Sequence, residues 1–209
     1  MLAPVRTVAP SVAPVSLVEA KLHLRVDHSD DDTLISSLID AATAYLDGWS
    51  GILGRALVTQ TWRQDFCRFS ACMRLPLAPV ASIEKVEYFD GENARQTLDA
   101  DVYMMLADAR GPYLNLASGK SWPGVYSRDD AVSITFVAGY GAAAAVPAPI
   151  RTAIMLFVRD MYTSTAAVGV VKRETVEGVS TTEYQDMTAG LESNPVASML
   201  LAPYRRVGV

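Results

Sequence analysis

Asp31-Asp-Thr-Leu-Ile-Ser-Ser-Leu-Ile-Asp-Ala-Ala-Thr-Ala-Tyr-Leu-Asp-Gly-Trp49 is the stretch that decides the fold class. Leu34, Ile35, Leu38, Ile39, Ala42, Tyr45, Leu46 and Trp49 recur with a 3.6-residue period over several turns, which predicts an amphipathic helix. Gly48 and Gly51 supply its stop. Upstream, Ser16-Leu-Val-Glu19 is a capping box, in which the serine side chain accepts from the N3 amide and the glutamate reaches back. It opens a short helix from Leu17 to about Val26, with Leu17, Ala20, Leu24 and the stem of Lys21 on one face. Before it, residues 1–15 are rich in Pro, Ala and Val and read as an extended arm.

Downstream the texture changes. Leu57–Phe66, Ser82–Phe89, Arg95–Leu98, Val102–Leu106, Tyr113–Leu116 and Ala131–Val137 are short and rich in β-branched and aromatic residues. Turn residues separate them, and Asp90-Gly91 reads as a hairpin turn. Gly139-Tyr-Gly141 closes this region. A third helix then runs from about Pro149 to Thr163, burying Ile150, Ala153, Ile154, Phe157, Val158 and Met161. Beyond Gly169, Val170–Thr175 and Val179–Tyr184 suit two strands, and Asn194-Pro195 caps a last helix from Val196 to Leu201. The expectation is an α+β chain: a small helical bundle (16–55 and 147–168) with an inserted antiparallel β domain (56–140). It carries an N-terminal arm (1–15) and an extended C-terminal interaction tail (169–209), poor in core residues and ordered mainly by partners.

Composition narrows the function. Half of the 209 residues are hydrophobic, which permits a sizeable core. The formal net charge is -5, and no basic block exceeds two residues, which disfavours a nucleic-acid wrapper. No stretch reaches the roughly 18 uncharged apolar residues that a bilayer span needs, and no secretory leader is visible, so a soluble protein of the cytoplasm is expected. Cys67 and Cys72 read as free thiols in a reducing compartment; with His23 and His28 they lack the spacing of a zinc site.

Motifs for chemistry fail on inspection. Counted from Asp27, a calcium loop needs glycine at the sixth position and glutamate at the twelfth, but Asp32 and Leu38 stand there. The acidic run is better read as complementing the next helix's N-terminus. Gly119-Lys120-Ser121 lacks the leading glycine of a phosphate loop, since Leu114 occupies that place, and Trp122-Pro123 follows where a helix should. No nucleophile–histidine pair or G-x-S-x-G elbow is present. Trp62, Tyr103, Tyr113, Trp122 and Tyr140 read as sheet packing rather than as a sugar or nucleotide platform. No catalytic residue, metal ligand or cofactor is expected.

The order of motifs resembles the gp6-like head–tail connector (adaptor) family of tailed phages, in the branch with an inserted β domain. The likeness is carried by Val15-Ser-Leu-Val-Glu-Ala-Lys-Leu-His-Leu-Arg-Val-Asp-His-Ser-Asp-Asp-Asp-Thr-Leu-Ile35 and Gly54-Arg-Ala-Leu-Val-Thr-Gln-Thr-Trp62. Leu75-Pro-Leu-Ala-Pro-Val80, Trp122-Pro123, Thr135-Phe-Val-Ala-Gly-Tyr-Gly141 and Val146-Pro-Ala-Pro-Ile150 continue it, and Leu200-Leu-Ala-Pro-Tyr-Arg-Arg206 adds a weaker match. Phage-like gene transfer agents carry similar proteins.

The resemblance implies a non-enzymatic structural subunit at the head–tail junction of a virion, made in the host cytoplasm. It implies a homo-oligomeric ring, commonly a dodecamer, below the portal protein and above a stopper or tail-side connector. DNA passes through the bore unread, for which an acidic lining would suit, and no membrane is involved. The tail, through Val196, Met199, Leu200, Leu201, Tyr204, Arg205 and Arg206, is the expected portal-binding segment. A chain cut after about Val168 is expected to fold but not to join portals. The alternatives are a stopper or tail-terminator subunit, or a small carboxylate-based hydrolase.

Overall fold

The capping box at Ser16 forms as its spacing dictates. The Ser16 hydroxyl accepts from the Glu19 amide while the Glu19 carboxylate accepts from the Ser16 amide, and helix α1 runs Leu17–Leu24. Arg25 ends it in the left-handed region, φ 61°. The computed structural model describes residues 1–166, 173–176, 180–183 and 194–206. The chain divides into two units: Met1–Pro14, Ala44–Pro147 and Tyr204–Val209 form one, and Val15–Thr43 with Ala148–Pro203 form the other.

The second unit is helical. It holds α1, most of α2 (Asp32–Leu46), α3 (Ala148–Ala166) and α4 (Pro195–Leu201), with a two-stranded ribbon of β9 (Arg173–Val176) and β10 (Ser180–Glu183). The periodic positions are the buried ones: Ile35, Ile39 and Ala42 on α2, and Ile150, Ala153, Ile154, Phe157 and Val158 on α3. Met161, expected in that stripe, is only half-buried. α1 and α4 both pack on α3. Arg151 of α3 donates to the Glu19 carboxylate, so the residue that closes the capping box also joins α1 to α3.

Trp49 departs from its expected place. α2 stops at Leu46, and Gly48 takes φ +80°, so Trp49 leaves the helical stripe and stands 50% exposed. The turn residue breaks the periodicity before the last apolar position can use it.

The first unit is antiparallel β. Strands β1 (Val5–Val8), β2 (Gln60–Phe66), β4 (Val80–Phe89), β5 (Arg95–Thr97) and β8 (Val132–Ala138) form a five-stranded sheet in the order β1-β2-β8-β4-β5. Strands β3 (Met73–Arg74), β6 (Tyr103–Asp108) and β7 (Gly111–Leu116) form a second sheet in the order β3-β7-β6. β8 lies between two neighbours and is buried at nearly every position, the polar Ser133 and Thr135 included. Leu75, Leu77, Val86, Leu114, Val132, Ile134 and Phe136 pack together as the core. Phe69 stacks on Trp122 at 4.6 Å and meets Tyr88 edge-on, so these aromatics serve packing.

The six expected β segments all carry strands, and the Asp90 turn joins β4 to β5. Two strands lay outside the expectation. The N-terminal segment is extended, but Val5–Val8 also pair with β2, Arg6 opposite Trp62. Met73–Arg74 is too short to show a period and exists because it pairs with β7.

Gly139 illustrates how the β unit closes before α3. Its φ is +124°, and a Cβ there would lie 2.5 Å from the Val58 carbonyl oxygen. That close approach lets the Gly139 amide donate to Pro79, the Tyr140 amide to Leu57, and the Thr59 amide to the Gly141 carbonyl.

Candidate interaction surfaces

The expected portal-binding residues fall in two settings. In the helical unit, the Asn194 side-chain oxygen accepts from the Val196 and Ala197 amides, capping α4. Its amide nitrogen donates to Asp160 of α3 at 2.7 Å. One side chain therefore starts the helix and pins it to its neighbour. Ala197 and Leu201, four residues apart, are buried, whereas Val196 and Met199 are 50% and 67% exposed. Leu200 is half-buried. α4 thus has an inner edge that belongs to the helical unit and an outer edge of apolar side chains in water.

In the β unit, the last described residues are anchored rather than free. The Arg55 Nε donates to the Tyr204 carbonyl at 2.7 Å, and the Arg206 amide donates to Leu53. The Arg206 guanidinium donates to the carbonyls of Pro76, Leu75 and Arg110, the last two at 3.1 and 3.0 Å. Burial lowers its pKa, and the nearby Arg55 and Arg74 lower it further. Neutral carbonyl dipoles, not a carboxylate, satisfy this cation. Gly111 makes the room: a Cβ there would lie 2.6 Å from Arg206 Nη2. Tyr204 is half-buried and Arg205 exposed.

Residues 194–206 are therefore placed by contacts within the chain, beyond what the reading of a partner-ordered tail supplied. Their short sequence holds few apolar residues, but α3 and the β carbonyls provide what a separate core would. No sequence signal marks the carbonyl cradle, because its acceptors are backbone atoms of any residue type. The expected strands after Gly169 exist as β9 and β10, and their flanking residues lie outside the described set.

The acidic turn is structural. The Tyr162 hydroxyl donates to Asp31, Lys21 pairs with Asp32, and both carboxylates sit at the start of α2. Among the described residues no group of three or more His, Cys, Asp or Glu could hold a metal ion. Cys67 and Cys72 are exposed free thiols. No helix among the described residues is long and apolar enough to cross a membrane.

Two buried acids sit in the β unit: Asp65, which accepts from the Ser133 hydroxyl at 2.7 Å and pairs with Arg63 at 3.1 Å, and Asp47. Asp47 accepts from the Leu57 amide at 2.7 Å and from Gln60 Nε2 at 3.0 and 3.1 Å. Gln60 in turn accepts from the Trp62 indole at 3.1 Å. Arg6 of β1 reaches Asp47 at 3.7 Å and lies over the Trp62 ring at 5.9 Å. Burial raises the Asp47 pKa, while the Leu57 and Gln60 hydrogen bonds and Arg6 oppose the rise. Each polar atom has a partner here, so the network seats the N-terminal strand and offers no free acid–base pair.

A second exposed apolar surface was not anticipated. Met104, Met105 and Leu106 on β6, at the edge of the three-stranded sheet, are 40%, 39% and 37% exposed. The clue in the sequence is the run of three apolar residues, which also suits a buried strand; only its position at an edge separates the two.

By sequence, residues 14–85 match the family model described as phage gp6-like head-tail connector protein. The matched segment starts at the capping box of α1 and ends within β4. The whole chain is similar to a protein in the virion of a native gene transfer agent particle, with TM-score 0.71, 22% identity, and 100% of this chain and 97% of that chain covered. A protein in the neck of an empty gene transfer agent particle, computed with C6 symmetry, gives TM-score 0.70 at 20% identity with the same coverage. A neck protein of the native particle, computed with C12 symmetry, gives 0.63 at 19% identity, again with 100% and 97% covered. No curated protein matches the sequence. The motifs read as a resemblance thus meet a family-model match over residues 14–85 and a shared fold over the whole chain.

Proposed function

We propose that this chain is an adaptor subunit of the head–tail connector in a tailed phage or phage-like particle. The observation that carries the reading is the connector-family match over residues 14–85, on a chain whose entire length shares the fold of gene transfer agent neck proteins. The C6 and C12 symmetry of those necks supports a ring of copies here. The ring sits beneath the portal and continues the DNA channel toward the stopper or tail. DNA is passed, not read, in keeping with a net charge of -5 and an absence of basic runs.

Portal binding is assigned to the tail, with Val196 and Met199 as its exposed apolar contacts. Apolar side chains left in water on a short helix gain free energy when a partner covers them. Within the helical unit, buried Leu201 supports that surface from behind. Assembly rather than catalysis is the function.

Electron microscopy of the purified full chain, alone and mixed with portal rings, tests this. Rings that stack coaxially on the portal are expected. A chain that stays monomeric and unbound in the presence of portals would overturn the adaptor reading. A ring that binds only a tail-side connector and never the portal would favour the stopper alternative. A strongly basic bore in the assembled ring would count against unread passage of DNA.

A further inference from the structure

The four sheet edges of the β unit are not alike. β5 is three residues long and opens on Arg95; β3 is two residues long; β1 carries a register shift between Arg6 and Val8. Shortness, charge and bulges are the usual devices that keep an edge from pairing with another chain. β6 is six residues long, has no bulge, and carries its one charge at its last residue, Asp108. Its pairing with β7 runs unbroken from Tyr103 opposite Leu116 to Asp108 opposite Gly111, and its other side pairs with no described strand. Tyr103-Met-Met-Leu-Ala107 contains no Lys, Arg or Pro. Successive strand residues face opposite ways, so exposure of Met104, Met105 and Leu106 in a row means that neither face of this edge is covered.

The ribbon of β9 and β10 has the converse deficiency. The two strands pair with each other, Ser180 opposite Val176 through Glu183 opposite Arg173, and with no third strand among the described residues. An isolated two-stranded ribbon is marginally stable in water. It gains most from a further strand. Six residues, 167–172, join it to α3, and ten, 184–193, join it to Asn194. Fully extended, such lengths reach at most about 20 and 35 Å. Residues 99–108 contain Asp99, Asp101 and Asp108 and no basic residue, Asp101 pairing with Lys120 and Asp108 with Arg74, while Lys172-Arg173 leads into β9.

We propose that the ribbon of one copy adds to the β6 edge of a second copy, with β9 antiparallel to β6. This rests on the ring reading above. Donor and acceptor are different surfaces of the same chain, so the contact is heterologous and repeats from copy to copy until a ring closes. Backbone hydrogen bonds hold the added strand, and Met104, Met105 and Leu106 are covered by it. The antiparallel sense is the one that every pair of named strands in this chain takes.

Full-length chains with Cys67→Ser and Cys72→Ser test the contact. One preparation receives Met105→Cys and another Thr175→Cys; they are mixed, assembled, oxidised and read as heterodimer on a denaturing gel, with rings counted by electron microscopy in the same samples. A heterodimer at least ten-fold above that from Thr97→Cys (on β5) mixed with Thr175→Cys is expected. Introducing Met105→Lys with Leu106→Lys should lower the ring fraction ten-fold or more while leaving the circular dichroism of the monomer unchanged. Rings without the cross-link overturn the contact and leave the ring reading standing. Neither rings nor cross-link overturns both. Capture of Thr175→Cys by a portal subunit instead, when portal rings are added, also overturns it.

Discussion

Asp47 and Asp108 show opposite electrostatic designs within one β unit. Asp47 is buried, and its raised pKa reflects desolvation that its hydrogen bonds only partly offset. Removing its acceptors strands the Leu57 amide and the Gln60 side chain. Asp47→Ala should therefore cost about 2–3 kcal/mol, read by chemical denaturation at neutral pH. The folded pKa lies above the ordinary 3.8, so the folded state binds the proton first. The stability contributed by the protonated form is complete below 3.8 and is lost as pH rises through the raised value. The stability of wild type relative to Asp47→Asn should fall as pH climbs through that window; an unchanged difference would refute the assignment.

Asp108 is exposed and held by Arg74 through two bonds, 2.9 and 2.6 Å, which bring its pKa down to about 2. Its contribution is present above 3.8 and fades as pH falls toward 2. A carbon-detected NMR titration should place the Asp108 midpoint near 2, and Arg74→Ala should return it toward 3.8. None of this was legible in the sequence. Asp47 follows a helix like any surface acid, and Arg74 lies 34 residues from its partner. Only the pairing of β3 and β6 with β7 brings Arg74 and Asp108 together.

Helix starts were the most legible elements, because a cap is a local bargain between a side chain and amides two or three residues away. Ser16 and Asn194 both sit where their spacing placed them. Ser16→Ala should cost about 1 kcal/mol. Asn194→Ala should cost more than a plain cap, since it also breaks the bond to Asp160, and amide exchange in α4 should rise above that in α3. Equal exchange in both helices would show that the cap does not hold α4. The β segments were visible as β-branched runs, but the partners of each were not. β1 was read as an arm because four residues in a Pro-rich stretch carry no period; pairing with β2 makes it a strand. Gly139→Ala should destabilise strongly, because the added Cβ meets the Val58 backbone and backbone cannot rotate away.

For the whole molecule, the tail changes how portal binding is best tested. A cut after Val168 removes Ala197 and Leu201 from the cover of α3 and Arg206 from its carbonyls. Such a chain should lose stability as well as portal affinity, and the two losses would be confused. Val196→Asp with Met199→Asp touches only exposed side chains. It should leave the thermal midpoint within a few degrees while weakening capture on portal rings at least ten-fold. Normal capture by this double variant would move portal binding off α4.

The sequence by itself determined the helices, their caps, their buried stripes and the succession of short strands, because each depends on residues within a few positions of one another. Its motif order also carried the likeness to the connector family, whose model matches residues 14–85. Tertiary structure alone decided which strands become edges, that α4 lies on α3, and that Arg206 sits among carbonyls of Leu75, Pro76 and Arg110. Those outcomes depend on pairing between distant backbone segments, and backbone carbonyls and amides look the same at every position of a sequence.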